Sequence, residues 1–177
     1  RKESSAASDV YKRQLIDNDI SVAFINDKNG DPDLFAHLLE FDTVHGRWSR
    51  SISNDSVSLT VDNQKIPVLH EENIVNLPLD EIDIVIDCTG FFKSEQLLAP
   101  YFNKGVQKVI VSAPVKTGSV ANLVYGVNHN IYDPNMHNIV TAASCTTNCL
   151  APIVKVVHES LGIKPVSYTH LTLPTTP

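Results

Sequence analysis

The chain has 177 residues, 42% of them hydrophobic, and a formal net charge of −6, enough for about one globular domain. It lacks a basic run that could follow a phosphate backbone and any apolar stretch near the ~20 residues that cross a bilayer. These features argue against nucleic acid or a membrane as the main partner. Cys88, Cys145 and Cys149 are too few, and odd in number, for a disulfide framework. Free thiols and a reducing, cytoplasmic compartment are therefore expected.

Both ends of the chain are expected to be foreign to the rest. Codons that can encode residues 9–14 form an inverted repeat with codons for residues 166–170, as in the transposon-end adapters of sequencing libraries. We therefore interpret residues 1–14 and 166–177 as translated adapter that packs against nothing; polar, disordered tails are the alternative. Residues 15–165 then carry 10 basic and 18 acidic side chains, a formal charge of −8.

Short apolar segments alternate with helix-length segments along residues 15–165. Asp31 and Ser94 are placed to cap helices, and Gly105 and Gly162 to end them. Strands separated by helices predict right-handed crossovers and a mostly parallel, doubly wound α/β sheet of the Rossmann type. The predicted strands are 20–25, a hairpin of 57–61 with 66–68, 82–86, 106–111, 123–125 and 139–141, and the predicted helices are 32–41, 95–104 and 146–161.

Asp27 directly follows the first predicted strand, where dinucleotide-binding folds place an acidic residue against the adenine ribose. A carboxylate there accepts from a free 2′-hydroxyl and repels a 2′-phosphate, which favours NAD over NADP as the cofactor. Thr89, Gly90 and Ser112 follow two later strands, at the edge where such sheets bind ligands. Each of the four is also an ordinary turn or loop residue, but together they predict a cofactor crevice. The glycine-rich phosphate loop would precede residue 15 and is missing from the sequence.

The segment Ala-Ser-Cys-Thr-Thr-Asn-Cys at 143–149 joins a predicted strand to the predicted helix 146–161. The unpaired N–H groups and the dipole of a helix N-terminus favour a thiolate and stabilise an oxyanion. Cys145 is therefore a candidate nucleophile, although simple burial competes with this interpretation. For Cys88 and Cys149 we adopt burial. No metal site is predicted, because no second Cys/His pair accompanies Cys145 and Cys149. Flanking hydroxyl groups that suit a phosphate are those of Ser144 and Thr146.

The nine residues from Ser144 to Pro152 resemble the active-site signature of the glyceraldehyde-3-phosphate dehydrogenase family. The resemblance extends over all of residues 15–165. Other segments that match in family order are Ile25-Asn26-Asp27, His37-Leu38-Leu39, residues 42–47, Ser112-Ala113-Pro114 and residues 125–129.

The resemblance implies the NAD-dependent, phosphorylating oxidation of glyceraldehyde 3-phosphate to 1,3-bisphosphoglycerate. Cys145 would attack the aldehyde to give a thiohemiacetal, hydride would pass to the nicotinamide, and inorganic phosphate would release the resulting thioester as an acyl phosphate. By the same resemblance, Asp27 holds the adenine ribose and the protein is a cytoplasmic homotetramer. The crevice would be lined by Thr89, Gly90 and Ser112, and phosphate would bind at Ser144 and Thr146.

The family's organisation divides the chain into two parts. Residues 15–143 would form an NAD-binding domain that lacks its first strand, and residues 144–165 the start of a catalytic domain. The family's catalytic histidine and phosphate-binding arginine would follow residue 165. His170 lies in the expected adapter and His158 on a helix, so neither is given the catalytic role. Glu72 stands where many members carry an arginine near the adenine, which puts that contact in doubt.

Alternatives for the substrate stay within the family. Erythrose-4-phosphate dehydrogenase shares the cysteine signature, and residues 47–48 and 113–116 are closer to an arsenate-linked bacterial branch. From another class of function, the 177-residue chain is a non-catalytic fragment, for which we expect no activity.

Overall fold

The structure, a computed structural model, describes residues 5–115 and 118–164. The helices are α1 (Ser5–Asp17), α2 (Pro32–Glu40), α3 (Glu95–Asn103) and α4 (Cys145–Leu161), with single 3-10 turns at Ile74–Asn76 and His129–Ile131. The strands are β1 (Ile25–Asn26), β2 (Phe41–Asp42), β3 (Gly46–Arg47), β4 (Ile52–Asn54), β5 (Ser58–Val61), β6 (Gln64–Leu69), β7 (Ile84–Asp87), β8 (Lys108–Val111), β9 (Ala121–Asn122) and β10 (Ile139–Thr141).

One sheet has the order β7-β8-β10-β9, and every neighbouring pair in it is parallel. Asp87, Val111 and Thr141 lie in one row across three of its strands. The loops that follow these strands therefore start at the same edge of the sheet. α3 connects β7 to β8 and buries Leu98 and Tyr101 in the core beneath the sheet.

The other large sheet has the order β1-β6-β5-β4, with β1 parallel to β6 and the rest antiparallel. Its core contains Phe35 and Leu39 of α2 and Leu59 of β5. The α/β class with a parallel sheet is confirmed, as is the hairpin of β5 and β6. In dinucleotide-binding folds the strand order is 3-2-1-4-5-6. The pair β6-β1 corresponds to positions 3 and 2 of this order, and the run β7-β8-β10 corresponds to positions 4, 5 and 6. No strand of the described residues occupies position 1, so these strands form two separate sheets in place of the single sheet that was expected.

Two predicted strands differ from the observed ones. The strand expected at 20–25 is reduced to Ile25–Asn26, which pairs only with β6 among the described strands. In place of the strand expected at 123–125, a shorter strand starts two residues earlier, at Ala121–Asn122. The chain turns away after it because the Val124 N–H donates to the Asn128 side-chain oxygen at 2.7 Å. The other predicted strands and all three helices are confirmed, with ends shifted by at most two residues.

α1 corrects the expectation that residues 1–14 pack against nothing. Residues 5–14 belong to this helix, which packs on α2. Arg13 is buried, and its Nε donates to the carbonyl of Leu39 at 2.9 Å, while its Nη2 has no hydrogen-bond partner within the described part of the chain. The packing expectation is therefore wrong for residues 9–14. Residues 1–4 and 166–177 lie outside the described residues, and the adapter origin stays a prediction.

Asp87 is a buried carboxyl group at the end of β7, with only 2% of its surface exposed. Its Oδ1 accepts from the N–H and the hydroxyl of Thr89 at 2.9 and 2.7 Å, and its Oδ2 accepts from the Tyr101 hydroxyl at 3.2 Å. Burial raises the pKa of Asp87, and the hydrogen bonds from Thr89 and Tyr101 only partly offset it. The turn after β7 is thus built on a carboxyl group that is costly to ionise.

We expect the Asp87→Asn variant to gain stability relative to the unmutated chain as the pH rises. A raised pKa means that the folded state binds the Asp87 proton more tightly than the unfolded state does. The stability that this proton contributes is full below the unfolded pKa of about 4 and is lost as the pH rises through the folded pKa. Asparagine keeps an acceptor for Thr89 and does not titrate. Urea unfolding between about pH 4 and pH 8 measures the difference in the free energy of unfolding. Asp80→Asn, at an exposed position, is the matched control. A difference in the free energy of unfolding between Asp87→Asn and the unmutated chain that does not change with pH would contradict the argument.

Candidate active site

The carboxyl ends of β7, β8 and β10 bring three of the predicted site segments together. Thr89 and Gly90 follow β7, Ser112 follows β8, and Ser144 and Cys145 follow β10. Two backbone hydrogen bonds continue the pairing past the strands: Ser112 N–H to the carbonyl of Asp87, and Ala142 N–H to the carbonyl of Val111. Asp27 stands at the equivalent end of β1, in the other sheet.

Asp27 shapes a tight turn and keeps one oxygen free. Its Oδ1 accepts from the N–H groups of Asn29 and Gly30 at 2.9 and 3.0 Å, whereas its Oδ2 makes no hydrogen bond to a described residue. Gly30 is required in this turn, because a Cβ there would lie 2.2 Å from the ring of Phe35. Asp27 therefore has a fixed, half-buried carboxylate with a spare acceptor, which fits a ribose hydroxyl.

Thr89 and Gly90 form the turn above Asp87. The Thr89 hydroxyl donates to Asp87 and accepts from the N–H of Phe91 at 3.1 Å, so it holds the turn together. Gly90 has φ +66°, and no atom lies within 4 Å of the position that a Cβ would take. A glycine in this left-handed conformation leaves open space beside the backbone, which fits the close approach of a cofactor.

Ser112 is half-buried and hydrogen-bonds the thiol of Cys88. Burial raises the pKa of Cys88 to about 11, although the bond from Ser112 acts in the other direction. Cys88, interpreted as buried, is partly exposed in the structure. Its raised pKa nevertheless disfavours reaction, because a thiol must ionise to act as a nucleophile.

Cys145 is the first residue of α4 and is exposed. Ser144 caps this helix: its Oγ accepts from the N–H of Thr147 at 3.1 Å and lies 2.7 Å from the Thr147 hydroxyl. The N–H groups of Cys145 and Thr146 have no acceptor in the part of the chain that the structure describes, as is usual in a first helical turn. Two donors and a thiol are thus available side by side at the sheet edge.

The turn that delivers Cys145 depends on residues to which the sequence analysis gave no role. Ala143 has φ +55°, a left-handed conformation that is rare for alanine. Its N–H donates to the Thr141 hydroxyl at 3.1 Å. From the helix side, the Asn148 amide donates to the carbonyls of Ala142 and Ser144 at 2.6 and 3.0 Å. The signature containing Asn148 was recognised, but nothing in the sequence marks Ala143 as left-handed.

Two other sequence interpretations are tested by α4. Cys149, interpreted as buried, is exposed, and that interpretation is wrong: α4 has no buried residue, because its apolar side contacts no described element closely. His158 lies thirteen residues beyond Cys145, about 20 Å along the helix, and its Nδ1 accepts from the N–H of Ile163. It is a surface residue of the helix end, as expected.

Further features surround these segments. A surface pocket of about 480 Å³ is lined by Ser144, Thr147 and Asn122 of β9, among others, but not by Cys145. Glu72, which stands in place of an arginine, forms an exposed pair with Lys28 at 3.4 Å; such pairs contribute little to stability. Among the described residues, no group of three or more His, Cys, Asp or Glu could hold a metal ion. No helix in the same residues is both long and apolar enough to cross a membrane.

Two family models match the chain. Residues 9–95 match the model described as glyceraldehyde 3-phosphate dehydrogenase, NAD binding domain, and residues 144–176 match the C-terminal domain of the same enzyme. NAD is the cofactor of the matched domain. Both matches run into the expected adapter segments at 9–14 and 166–176.

Curated relatives agree with the family models. The chain is 44% identical over 148 residues to glyceraldehyde-3-phosphate dehydrogenase 3 of Nostoc sp., covering 82% of this chain and 44% of the relative. It is 42% identical to the enzyme of Geobacillus stearothermophilus and 39% identical to that of Mycoplasma pneumoniae, in both cases over 156 residues, 87% of this chain and 46% of the relative. The chain spans less than half the length of these relatives. On this evidence, the chain belongs to the glyceraldehyde-3-phosphate dehydrogenase family.

Proposed function

We propose that the chain supplies the cofactor-binding part and the nucleophile of an NAD-dependent enzyme that oxidises glyceraldehyde 3-phosphate to 1,3-bisphosphoglycerate with uptake of inorganic phosphate. The observation that carries this proposal is the position of Cys145. It is an exposed thiol at the first residue of α4, at the sheet edge where Thr89, Gly90 and Ser112 also lie.

Cys145 acts as a covalent nucleophile. Its thiolate attacks the aldehyde carbon, and the resulting oxyanion accepts hydrogen bonds from the free N–H groups of Cys145 and Thr146. When bound, NAD would supply the hydride acceptor for the oxidation of this adduct to the thioester of Cys145. A phosphate oxygen then attacks the thioester carbonyl, the acyl phosphate leaves, and the Cys145 thiolate is regenerated.

Residues at the carboxyl ends of the strands would hold the cofactor. Asp27 accepts from the adenine ribose through its free Oδ2, and its charge disfavours a 2′-phosphate. Gly90 gives the cofactor room beside the backbone, and Ser112 lines the crevice. Thr89 contributes by shaping the turn, since its hydroxyl is already engaged with Asp87 and Phe91.

The attacking phosphate binds next to the nucleophile. Thr146 offers a half-buried hydroxyl with no hydrogen bond to a described residue, and an unpaired N–H. Ser144 is partly committed as the helix cap, so its contact with phosphate uses the remaining capacity of its hydroxyl. A helix N-terminus suits an anion through its dipole and its N–H groups.

We further propose a cytoplasmic homotetramer for the whole enzyme. The curated relatives named above are all called glyceraldehyde-3-phosphate dehydrogenase, which favours that aldehyde over erythrose 4-phosphate. The 177-residue chain alone is inactive in this proposal, because no side chain of the described residues is hydrogen-bonded to Cys145 as a base.

Replacing Asp27 should weaken the preference of the whole enzyme for NAD. Asp27→Ala removes the repulsion of a 2′-phosphate and should narrow the ratio of kcat/KM for NAD over NADP by about tenfold or more. Asp27→Asn keeps an oxygen for the Asn29 and Gly30 N–H groups and removes only the charge. It should therefore narrow the ratio as Asp27→Ala does, which separates the effect of the charge from that of the turn. Equal use of both cofactors by the unmutated enzyme would contradict this role.

Cys145→Ser should abolish aldehyde oxidation in the whole enzyme and spare NAD binding. A serine hydroxyl stays protonated where a thiol ionises, and it cannot form the thioester. NAD affinity, measured by calorimetry, should change little because the contacts proposed for it lie at other strand ends. The matched variant Cys149→Ser should retain turnover. Residual turnover in Cys145→Ser would rule out the mechanism.

Ser144→Asp should separate the capping role from phosphate binding. Aspartate caps helices as well as serine does, so the unfolding temperature of the variant should stay close to that of the unmutated enzyme. The added charge should raise KM for phosphate by about tenfold or more. A normal phosphate KM, measured at constant ionic strength, would show that Ser144 has no contact with phosphate.

A further inference from the structure

The turn between β10 and α4 holds Cys145 in place although its backbone is strained. Ala143 is left-handed at φ +55° and buried. This conformation brings the Cβ of a non-glycine residue close to a carbonyl oxygen, so it persists only where surrounding contacts enforce it. Cys145 lies two residues later, and the direction of its side chain depends on this turn.

We propose that Asn148 positions Cys145 by bridging the carbonyls of Ala142 and Ser144 across left-handed Ala143. The two hydrogen bonds, of 2.6 and 3.0 Å, come from one amide group and bracket the strained residue on both sides. Asn148 is a positioning residue, which acts on the thiol through the backbone. The proposal rests on the proposed role of Cys145 as the nucleophile.

The opposite side of the turn is already fixed by a separate set of bonds. The Thr141 hydroxyl accepts from the Ala143 N–H and donates to the Asn122 side chain at 2.6 Å. Asn122 in turn donates to the carbonyl of Val115. These bonds hold the strand end, whereas the Asn148 amide reaches from the helix back across the turn to the carbonyl of Ala142.

Helix propensity does not explain an asparagine at this position. Asn148 is the fourth residue of α4, inside the helix, where alanine is the more favourable residue. The variant Asn148→Ala should therefore strengthen the helix locally while it releases the turn. A loss of function in this variant would not come from a weaker helix.

The three thiols of the chain serve as internal reporters in one labelling experiment. The alkylation rate of Cys145 depends on the conformation of the turn, whereas that of exposed Cys149 depends on α4 one turn further along. Burial raises the pKa of Cys88 to about 11, so faster alkylation of Cys88 indicates that the fold has opened. The 177-residue chain is treated with iodoacetamide near neutral pH, and peptide mapping gives the rate at each cysteine. The measured quantity is the ratio of the Cys145 rate to the Cys149 rate.

Asn148→Ala should lower this ratio by about fivefold, as expected for the loss of one or two hydrogen bonds, with Cys88 still protected. Ala143→Gly should restore most of the ratio in the Asn148→Ala background, because glycine adopts the left-handed conformation without steric cost. Asn103→Ala, an exposed asparagine at the end of α3, should leave the ratio unchanged. If Asn148→Ala exposes Cys88, the single variant Ala143→Gly is compared instead with the double variant Ala143→Gly/Asn148→Ala. The Cys145-to-Cys149 rate ratios of these two variants should agree within about twofold.

Two results would overturn the proposal by different routes. A preference for Cys145 in the unmutated chain that survives Asn148→Ala, or a loss that Ala143→Gly does not restore, overturns the positioning role and leaves the nucleophile assignment intact. Equal labelling of Cys145 and Cys149 in the unmutated chain overturns the assignment of Cys145 and the positioning role with it.

Discussion

The parallel pairing of β8 with both β7 and β10 is the constraint on which the candidate site depends. It places Asp87, Val111 and Thr141 in one row, so the three loops that follow leave the sheet side by side. Residues far apart in sequence meet at this edge without needing contacts among themselves. Backbone hydrogen bonds fix the frame, and the side chains proposed for cofactor binding and chemistry are left free to face a ligand.

Two strand ends at this edge, those of β7 and β10, and the end of β1 in the other sheet share one type of turn. Asp27, Asp87 and Thr141 each accept, through a side-chain oxygen, the N–H of the residue two positions ahead. This is the Asx or hydroxyl turn that asparagine, aspartate, serine and threonine form with their own backbone. It satisfies the first unpaired N–H after the strand and turns the chain sharply. The polar residues at these positions therefore have a structural duty besides any contact with a ligand.

The sequence predicts features that local chemistry decides. Asp31 and Ser94 cap α2 and α3 as expected, and α4 begins within one residue of its predicted start. Features without a residue-type signal are missed: the left-handed Ala143 is held by bonds from Thr141 and Asn148, and alanine carries no signal for this conformation. The strand expected at 20–25 shortens because it has a strand partner on one side only among the described residues. In the candidate site the residue types could be predicted, but not which hydroxyl groups the turns and caps already use.

The two halves of α4 lie in different environments. Cys145 and Cys149 are both exposed, but only the turn that carries Cys145 is hydrogen-bonded to the end of β10. The first turn of the helix is tied to the sheet by Ser144 and by the bridge from Asn148. Beyond it the helix carries exposed apolar residues, among them Ile153, Val156 and Leu161, and this segment matches the C-terminal domain of the family. The backbone at Cys145 is thus set by the bonds that tie the first turn of α4 to the end of β10. If Cys145 is the nucleophile, as proposed, this anchoring keeps it in place relative to the edge of the parallel sheet whatever packs on the rest of the helix.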